Sequence, residues 1–226
     1  MEIRFSGASV TFGNRTALQP LTVTLAERRI GIVGLNGSGK TTFAKLINGL
    51  VEPTEGHVTV DGLDTVKDAG AVLRKVGFIF QNPQQQLIMP ILKDDIAFGL
   101  KAHGVAKEDV AARTTAILSR FGIAHLADRR VHELSGGETQ LAAIAGVTVT
   151  GPGLLIFDEP ANQLDLKNRK LVKETIAKLD QQAVVISHDL PFIEDFDRVL
   201  LFHEGQLEAD GAPADVIARY REIAGC

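Results

Sequence analysis

The sequence predicts an α/β protein with a mostly parallel sheet core, an antiparallel β part at the N-terminus and an inserted α-helical subdomain. Three observations lead there. From 154 to 202, strand-like and helix-like segments alternate as LLIFD, LKNRKLVKETIAKL, AVVIS, LPFIEDF and RVLLF, the order in which crossover helices join parallel strands. The first 25 residues alternate weakly between apolar and polar, as antiparallel strands with one wet face do. Between about 84 and 150 the apolar period becomes helical.

Taken in order, the N-terminal strands turn at Gly13–Asn14, and Arg29 to Val33 is a short apolar strand entering a glycine-rich loop. Thr41 to Leu50 has helical spacing and is closed by Gly49 and Pro53. HVTVDG (57–62) returns to strand and turn, and KVGFIF (75–80) is a strand that runs into FQNPQQQLI (80–88). That last stretch poses a question, because polar amides beside a core strand need partners. In the insertion, AKEDVAARTTAILSRFGI (106–123) and ETQLAAIAGVTV (138–149) carry apolar residues at i, i+3 and i+4. One domain over 1–226 is therefore expected, with 84–150 inserted into a core made of 1–83 and 151–226.

Bulk properties exclude several function classes. At 45% hydrophobic and 23% charged residues the chain can bury a sizeable core. A formal charge of −4 gives no electrostatic footprint for nucleic acid. Cys226, the single cysteine, permits no internal disulfide, which fits a reducing cytosol. No secretory signal is visible at the N-terminus, and no run approaches the roughly 18 apolar residues of a membrane helix. Any membrane role has to come through a partner.

GLNGSGKT (34–41) matches G-x-x-x-x-G-K-[ST] between a strand and a helix, which is the setting that pattern requires. Gly34, Gly37 and Gly39 let successive N–H groups turn toward an anion at the positive end of a helix dipole. Lys40 can then reach outer phosphates and the Thr41 hydroxyl can coordinate Mg²⁺. LLIFDEP (154–160) brings Asp158 to a strand end, where it can hold a magnesium shell, with Glu159 beside it to polarise an attacking water. His188, in ISHD (186–189), ends the next strand, near enough to sense a terminal phosphate. The histidines at 57, 103, 125, 132 and 203 show no ligand spacing. In LSGGE (134–138), Ser135 and Glu138 have capping-box spacing, while Gly136 and Gly137 leave bare N–H groups for a second anion contact. Two phosphate contacts and one nucleotide imply a pocket completed by another subunit.

GLNGSGKTT, LSGGE, LLIFDEP, ANQLD and ISHD, in this order over essentially the whole chain, resemble the nucleotide-binding subunit of ABC transporters, whose fold is a P-loop NTPase of ABC type. The resemblance implies Mg²⁺-dependent ATP hydrolysis in a head-to-tail homodimer with two composite ATP sites. It implies that Gly34, Asn36, Gly37, Ser38, Gly39, Lys40, Thr41 and Thr42 hold ATP on one side, with Ser135, Gly136, Gly137 and Glu138 of the other subunit opposite. Phe12 would stack on adenine, where the family usually has Tyr, and Asp165 would end the loop crossing the dimer interface. Gln81 would touch both Mg²⁺ and the attacking water. NPQQQL and AIAGV (143–147) are similar to the energy-coupling factor branch, so Gln84, Gln85 and Gln86 would bond a transmembrane coupling subunit, which works with a substrate-binding membrane subunit. The cytoplasmic face of the membrane is the implied location.

The chain departs from the family at Glu138, where glutamine is usual, and at Thr139 and Leu141, where basic residues are usual; ANQLD also replaces a small-residue loop. Its compact end resembles the ATPases of dedicated biotin importers, ahead of the longer cobalt, nickel and shared-module ATPases. Soluble relatives acting in DNA repair or translation usually carry a long coiled coil or two cassettes, and neither is visible here. Glu159 and His188 together also argue against a nucleotide-binding module without hydrolysis.

Overall fold

The computed structural model describes residues 1–225, so Cys226 lies outside the described residues. β1 (Ile3–Phe12) and β2 (Arg15–Leu25) form the expected hairpin around Gly13–Asn14. β3 (Arg29–Gly34) enters the glycine loop and α1 (Lys40–Ile47) leaves it. β4 (Glu55–Val60) and β5 (Leu63–Asp64) form a short hairpin, and α2 (Ala69–Lys75) leads into β6 (Val76–Ile79). The inserted stretch contributes α3 (Leu92–Ala102), α4 (Lys107–Arg120) and α5 (Gly136–Thr148). β7 (Leu154–Asp158), α6 (Leu166–Ala177), β8 (Gln182–Ile186), α7 (Leu190–Ile193) and β9 (Arg198–His203) then alternate as expected. β10 (Gln206–Gly211) and α8 (Pro213–Ala224) close the chain.

Two sheets result. One is antiparallel in the order β2-β1-β4-β5; the other runs β10-β9-β3-β8-β7-β6, parallel except for its edge strand β10. β3, β7 and β8 are buried along their whole length, which is why they read as continuous apolar runs. Their register matters for chemistry. Ile186 pairs with Ile32 on one side and Asp158 on the other, so the loops after β3, β7 and β8 open at one edge.

Packing fixes the rest. Phe43 of α1 stacks on Phe5 of β1, with ring centroids 4.4 Å apart, and meets Phe202 of β9 at 4.9 Å. This clamps the antiparallel sheet onto the helix that leaves the glycine loop; truncating so buried a phenylalanine costs about 3–5 kcal/mol. The opposite sheet face packs against α6, α7 and α8 through Val172, Ile176, Phe192, Ile193 and Val216. α3, α4 and α5 bury Leu92, Ile96, Leu100, Ile117, Leu118 and Leu141 among themselves. No helix of the described residues is long and apolar enough to cross a membrane.

Candidate nucleotide site

The glycine loop turns as its sequence dictates. Gly39 caps α1 at φ 101°, and a Cβ there would lie 2.6 Å from the Ala17 carbonyl oxygen. Gly34, at φ 150°, would carry its Cβ 2.2 Å from the Phe202 oxygen. Only glycine fits either place. Lys40 is buried, and its ammonium donates to the carbonyls of Gly34 (2.8 Å) and Leu35 (2.9 Å). An ammonium has three protons, so one is left for an anion in the cleft. Burial lowers the Lys40 pKa, while the charges of Glu159 and Asp158 act to raise it.

Asp158, the last residue of β7, sits 3.2 and 3.3 Å from the Thr41 hydroxyl through its two oxygens. Burial pushes its pKa up, against the Thr41 hydrogen bond. A hydroxyl and a carboxylate are the hard oxygen donors that Mg²⁺ prefers. Among the described residues no cluster of three or more His, Cys, Asp or Glu could hold a metal ion alone. Phosphate oxygens would therefore have to complete the shell, as is usual for Mg²⁺. The donors fit that ion.

Glu159 follows with φ 53°, an uncommon value for a residue with a side chain. Strain of this kind costs about 1–3 kcal/mol and persists where neighbours enforce it. Here the Glu159 N–H donates to the Ile186 carbonyl at 3.0 Å, and Glu159 Oε1 lies 2.7 Å from His188 Nδ1. The bend swings the carboxylate across to the end of β8. Burial pushes its pKa up to about 7, and burial lowers that of His188. A carboxyl titrating near neutrality, beside an imidazole and facing Lys40, can accept a proton from water.

Gly39, Lys40, Thr41, Asp158, Glu159 and His188 line one cleft of about 380 Å³, together with Phe12, Asn36, Gly37, Ser38, Thr42 and Gln81, whereas Gly34 does not line it. Phe12 is 55% exposed at its mouth, a free aromatic face. Arg15 and Ala17 also line it. Sequence reasoning missed both, since neither belongs to a motif; the one available signal was that Arg15 follows Phe12 across the hairpin turn. Ser135, Gly136, Gly137, Glu138 and Asp165 do not line this cleft. Gly136 instead faces a second groove with Thr41, Gln81, Gln84, Gln85 and Gln140.

Three expected partners are already engaged within the chain. Glu138 accepts from the Ser135 N–H at 2.8 Å and from its hydroxyl at 2.7 Å, closing the capping box. Asp165 caps α6 by accepting from the Asn168 N–H at 2.8 Å. Gln86 corrects an expectation. Its amide donates to the Phe78 carbonyl at 2.9 Å and accepts from the Phe80 N–H at 3.3 Å, so it finishes β6 rather than waiting for another subunit. Gln84 and Gln85 remain exposed.

A strand-loop-helix phosphate cleft, an acidic pair at a neighbouring strand end and a helical insertion define an ATPase class, and the ABC transporter family model matches residues 18–162. The chain belongs to the ATP-binding subunits of ABC transporters, which hydrolyse ATP to power transport. It is 61% identical to the biotin transport ATP-binding protein BioM of Rhizobium etli, over 99% of this chain and 100% of that one. It is 40% identical to the energy-coupling factor transporter ATP-binding protein EcfA1 of Halalkalibacterium halodurans, over 83% of this chain and 69% of that one. Among solved structures, cbiO1 of Clostridium perfringens, part of the ABC transporter complex cbiONQ, superposes with a TM-score of 0.85 at 28% identity, covering 99% and 93% of the chains.

Proposed function

We propose that this chain is the ATP-hydrolysing subunit of an energy-coupling factor importer for biotin, at the cytoplasmic face of the membrane. The observation that carries the hydrolytic part is the buried Glu159 carboxyl, lying 2.7 Å from His188 in the cleft that holds Lys40. The likeness to the Rhizobium etli protein supports the cargo. Residues 1–83 and 151–226 act as one catalytic core, and 84–150 as its helical insertion.

In this reading Phe12 stacks on adenine, and the N–H groups from Asn36 to Thr42 cradle the phosphates. Lys40 donates its remaining N–H to the outer phosphates. Thr41 and Asp158, with Gln81 beside them, would hold Mg²⁺, which neutralises phosphate charge when bound. Glu159 takes the proton of the attacking water, and His188 keeps that carboxylate aimed. Ser135, Gly136, Gly137 and Glu138 of a second copy close the cleft, with Asp165 at the crossing, because these residues lie outside the chain's own pocket. Gln84 and Gln85 face the transmembrane coupling subunit, beyond which the substrate-binding membrane subunit lies.

The experiment is to purify the chain with its membrane partners, reconstitute the complex in vesicles and measure uptake of labelled biotin. ATP-dependent uptake, lost with Glu159→Gln, is expected. Uptake of cobalt or nickel in place of biotin would overturn the cargo. ATP turnover stimulated by DNA or ribosomes, with no membrane partner, would overturn the transport role.

A further inference from the structure

α6 carries two basic side chains four residues apart, a spacing that puts both on one helix face. Both reach across to the segment after β8. Arg169 Nη1 lies 3.2 Å from Asp189 Oδ2. Lys173 Nζ lies 2.9 Å from Asp195 Oδ2 and donates to the Pro191 carbonyl. The two clamps differ in what they sit beside. Asp189 directly follows His188, whereas Asp195 lies beyond the far end of α7.

His188 needs holding. Its side chain is 47% exposed, and its own N–H reaches Glu159 Oε2 only at 3.4 Å. Apart from the 2.7 Å contact with Glu159, the ring is tied to the fold through its backbone, which continues directly into Asp189. The Asp189 N–H turns back onto the Ser187 hydroxyl at 3.0 Å, and Arg169 is the one ion partner of its carboxylate among the described residues. The Asp189 side chain is 19% exposed and that of Arg169 41%, so the carboxylate end of the pair is the more sheltered one. At its other end Arg169 belongs to the first turn of α6, its N–H donating to the Asp165 carbonyl at 2.9 Å.

We propose that Arg169 is a positioning residue for ATP hydrolysis: through Asp189 it fastens the His188 turn to the first turn of α6 and so holds the Glu159–His188 pair in working geometry. This rests on the reading in which Glu159 takes the proton of the attacking water and His188 keeps that carboxylate aimed. Because the same turn starts at Asp165, the strut also ties the cleft to the loop assigned to the dimer crossing. Neither Arg169 nor Asp189 lines the cleft itself, so nucleotide contacts survive their loss.

The test measures kcat, KM for ATP and melting temperature for Arg169→Ala, Arg169→Lys, Asp189→Asn, Lys173→Ala, the exchanged pair Arg169→Asp/Asp189→Arg, and His188→Ala. Misplacing a reacting group by about 1 Å can cost up to 10²-fold in rate, so Arg169→Ala should lower kcat about tenfold or more with KM within about twofold. Asp189→Asn should match it, and carries the same expectation should Arg169→Ala fail to fold. The lysine variant and the exchanged pair should each recover part of the loss. Arg169→Ala and Asp189→Asn together should cost no more than one alone, as expected for partners in one interaction. Lys173→Ala should lower the melting temperature and keep kcat within about twofold. Wild-type kcat in Arg169→Ala, with His188→Ala inactive, would overturn the proposal alone, as would equal kcat losses in Arg169→Ala and Lys173→Ala. Full activity in His188→Ala would sink the underlying reading along with it.

Discussion

At the residue scale, the proposed chemistry centres on Glu159, whose backbone takes an uncommon conformation. A side chain held at φ 53° is unfavourable, yet the hydrogen bond to Ile186 and the contact with His188 keep it there. Replacing Glu159 with glutamine keeps the shape and removes the proposed base. Loss of general-base catalysis typically costs 10²–10⁴-fold, so turnover should fall at least a hundredfold while ATP still binds. With one negative charge fewer near the phosphates, the variant should also accumulate as an ATP-bound dimer, visible as an earlier elution in size-exclusion chromatography with ATP. Turnover within a few-fold of wild type would mean the proton goes elsewhere. The acidic pair was legible in LLIFDEP because an apolar strand must end with its polar residues at the sheet edge. The strained bend and the 2.7 Å contact to His188 were not, since the partner lies 29 residues away in sequence.

At the scale of elements, the insertion meets the core where α5 packs on β6. Gly77 of β6 leaves room for it: a Cβ there would lie 2.3 Å from Val147 Cγ1 and 2.9 Å from Leu155 Cδ2. Gly77→Ala should therefore overpack the contact and destabilise the fold by about 1–3 kcal/mol. Adding Val147→Ala should return part of that, because touching residues are not additive. Chemical denaturation of the single and double variants gives the numbers; additive losses would show that the two residues do not share the strain. The sequence marked KVGFIF as a strand, but no periodicity announces which helix a strand glycine must admit. α2, β5, β10 and α8 had no counterpart in the sequence reading, although α8, with 12 residues and Pro213 in its first turn, is long enough to show a period. β5 has two residues, α2 buries only Val72, and neither length gives a pattern time to repeat. LPFIEDF is helical only over Leu190–Ile193, since Pro191 opens the turn and the next pair, Phe192 and Ile193, is spent in the core.

At the scale of the whole molecule, the glutamine cluster now divides in two. Gln86 serves the chain itself, bonding both ways to the end of β6, while Gln84 and Gln85 stay exposed beside a groove. Gln84→Ala with Gln85→Ala should leave ATP affinity of the isolated subunit within about twofold, as exposed surface changes are usually worth under about 0.5 kcal/mol. Copurification with the membrane subunits should fail, since each desolvated group left unpaired costs about 1–3 kcal/mol. Gln86→Ala should do the reverse and lower the melting temperature of the isolated subunit. Wild-type assembly by the double variant would return those two residues to a solvated loop. By itself the sequence determined the alternation of elements, the phosphate loop, the acidic strand end and the histidine, because each is written in contiguous residues whose spacing is the signal. The tertiary structure alone decided that Arg15 joins the cleft, that Gln86 turns inward, that Arg169 reaches Asp189, and that LSGGE lies outside its own chain's pocket. Each of those depends on the distance between side chains of separate elements, which core packing and strand register set and which no local pattern encodes.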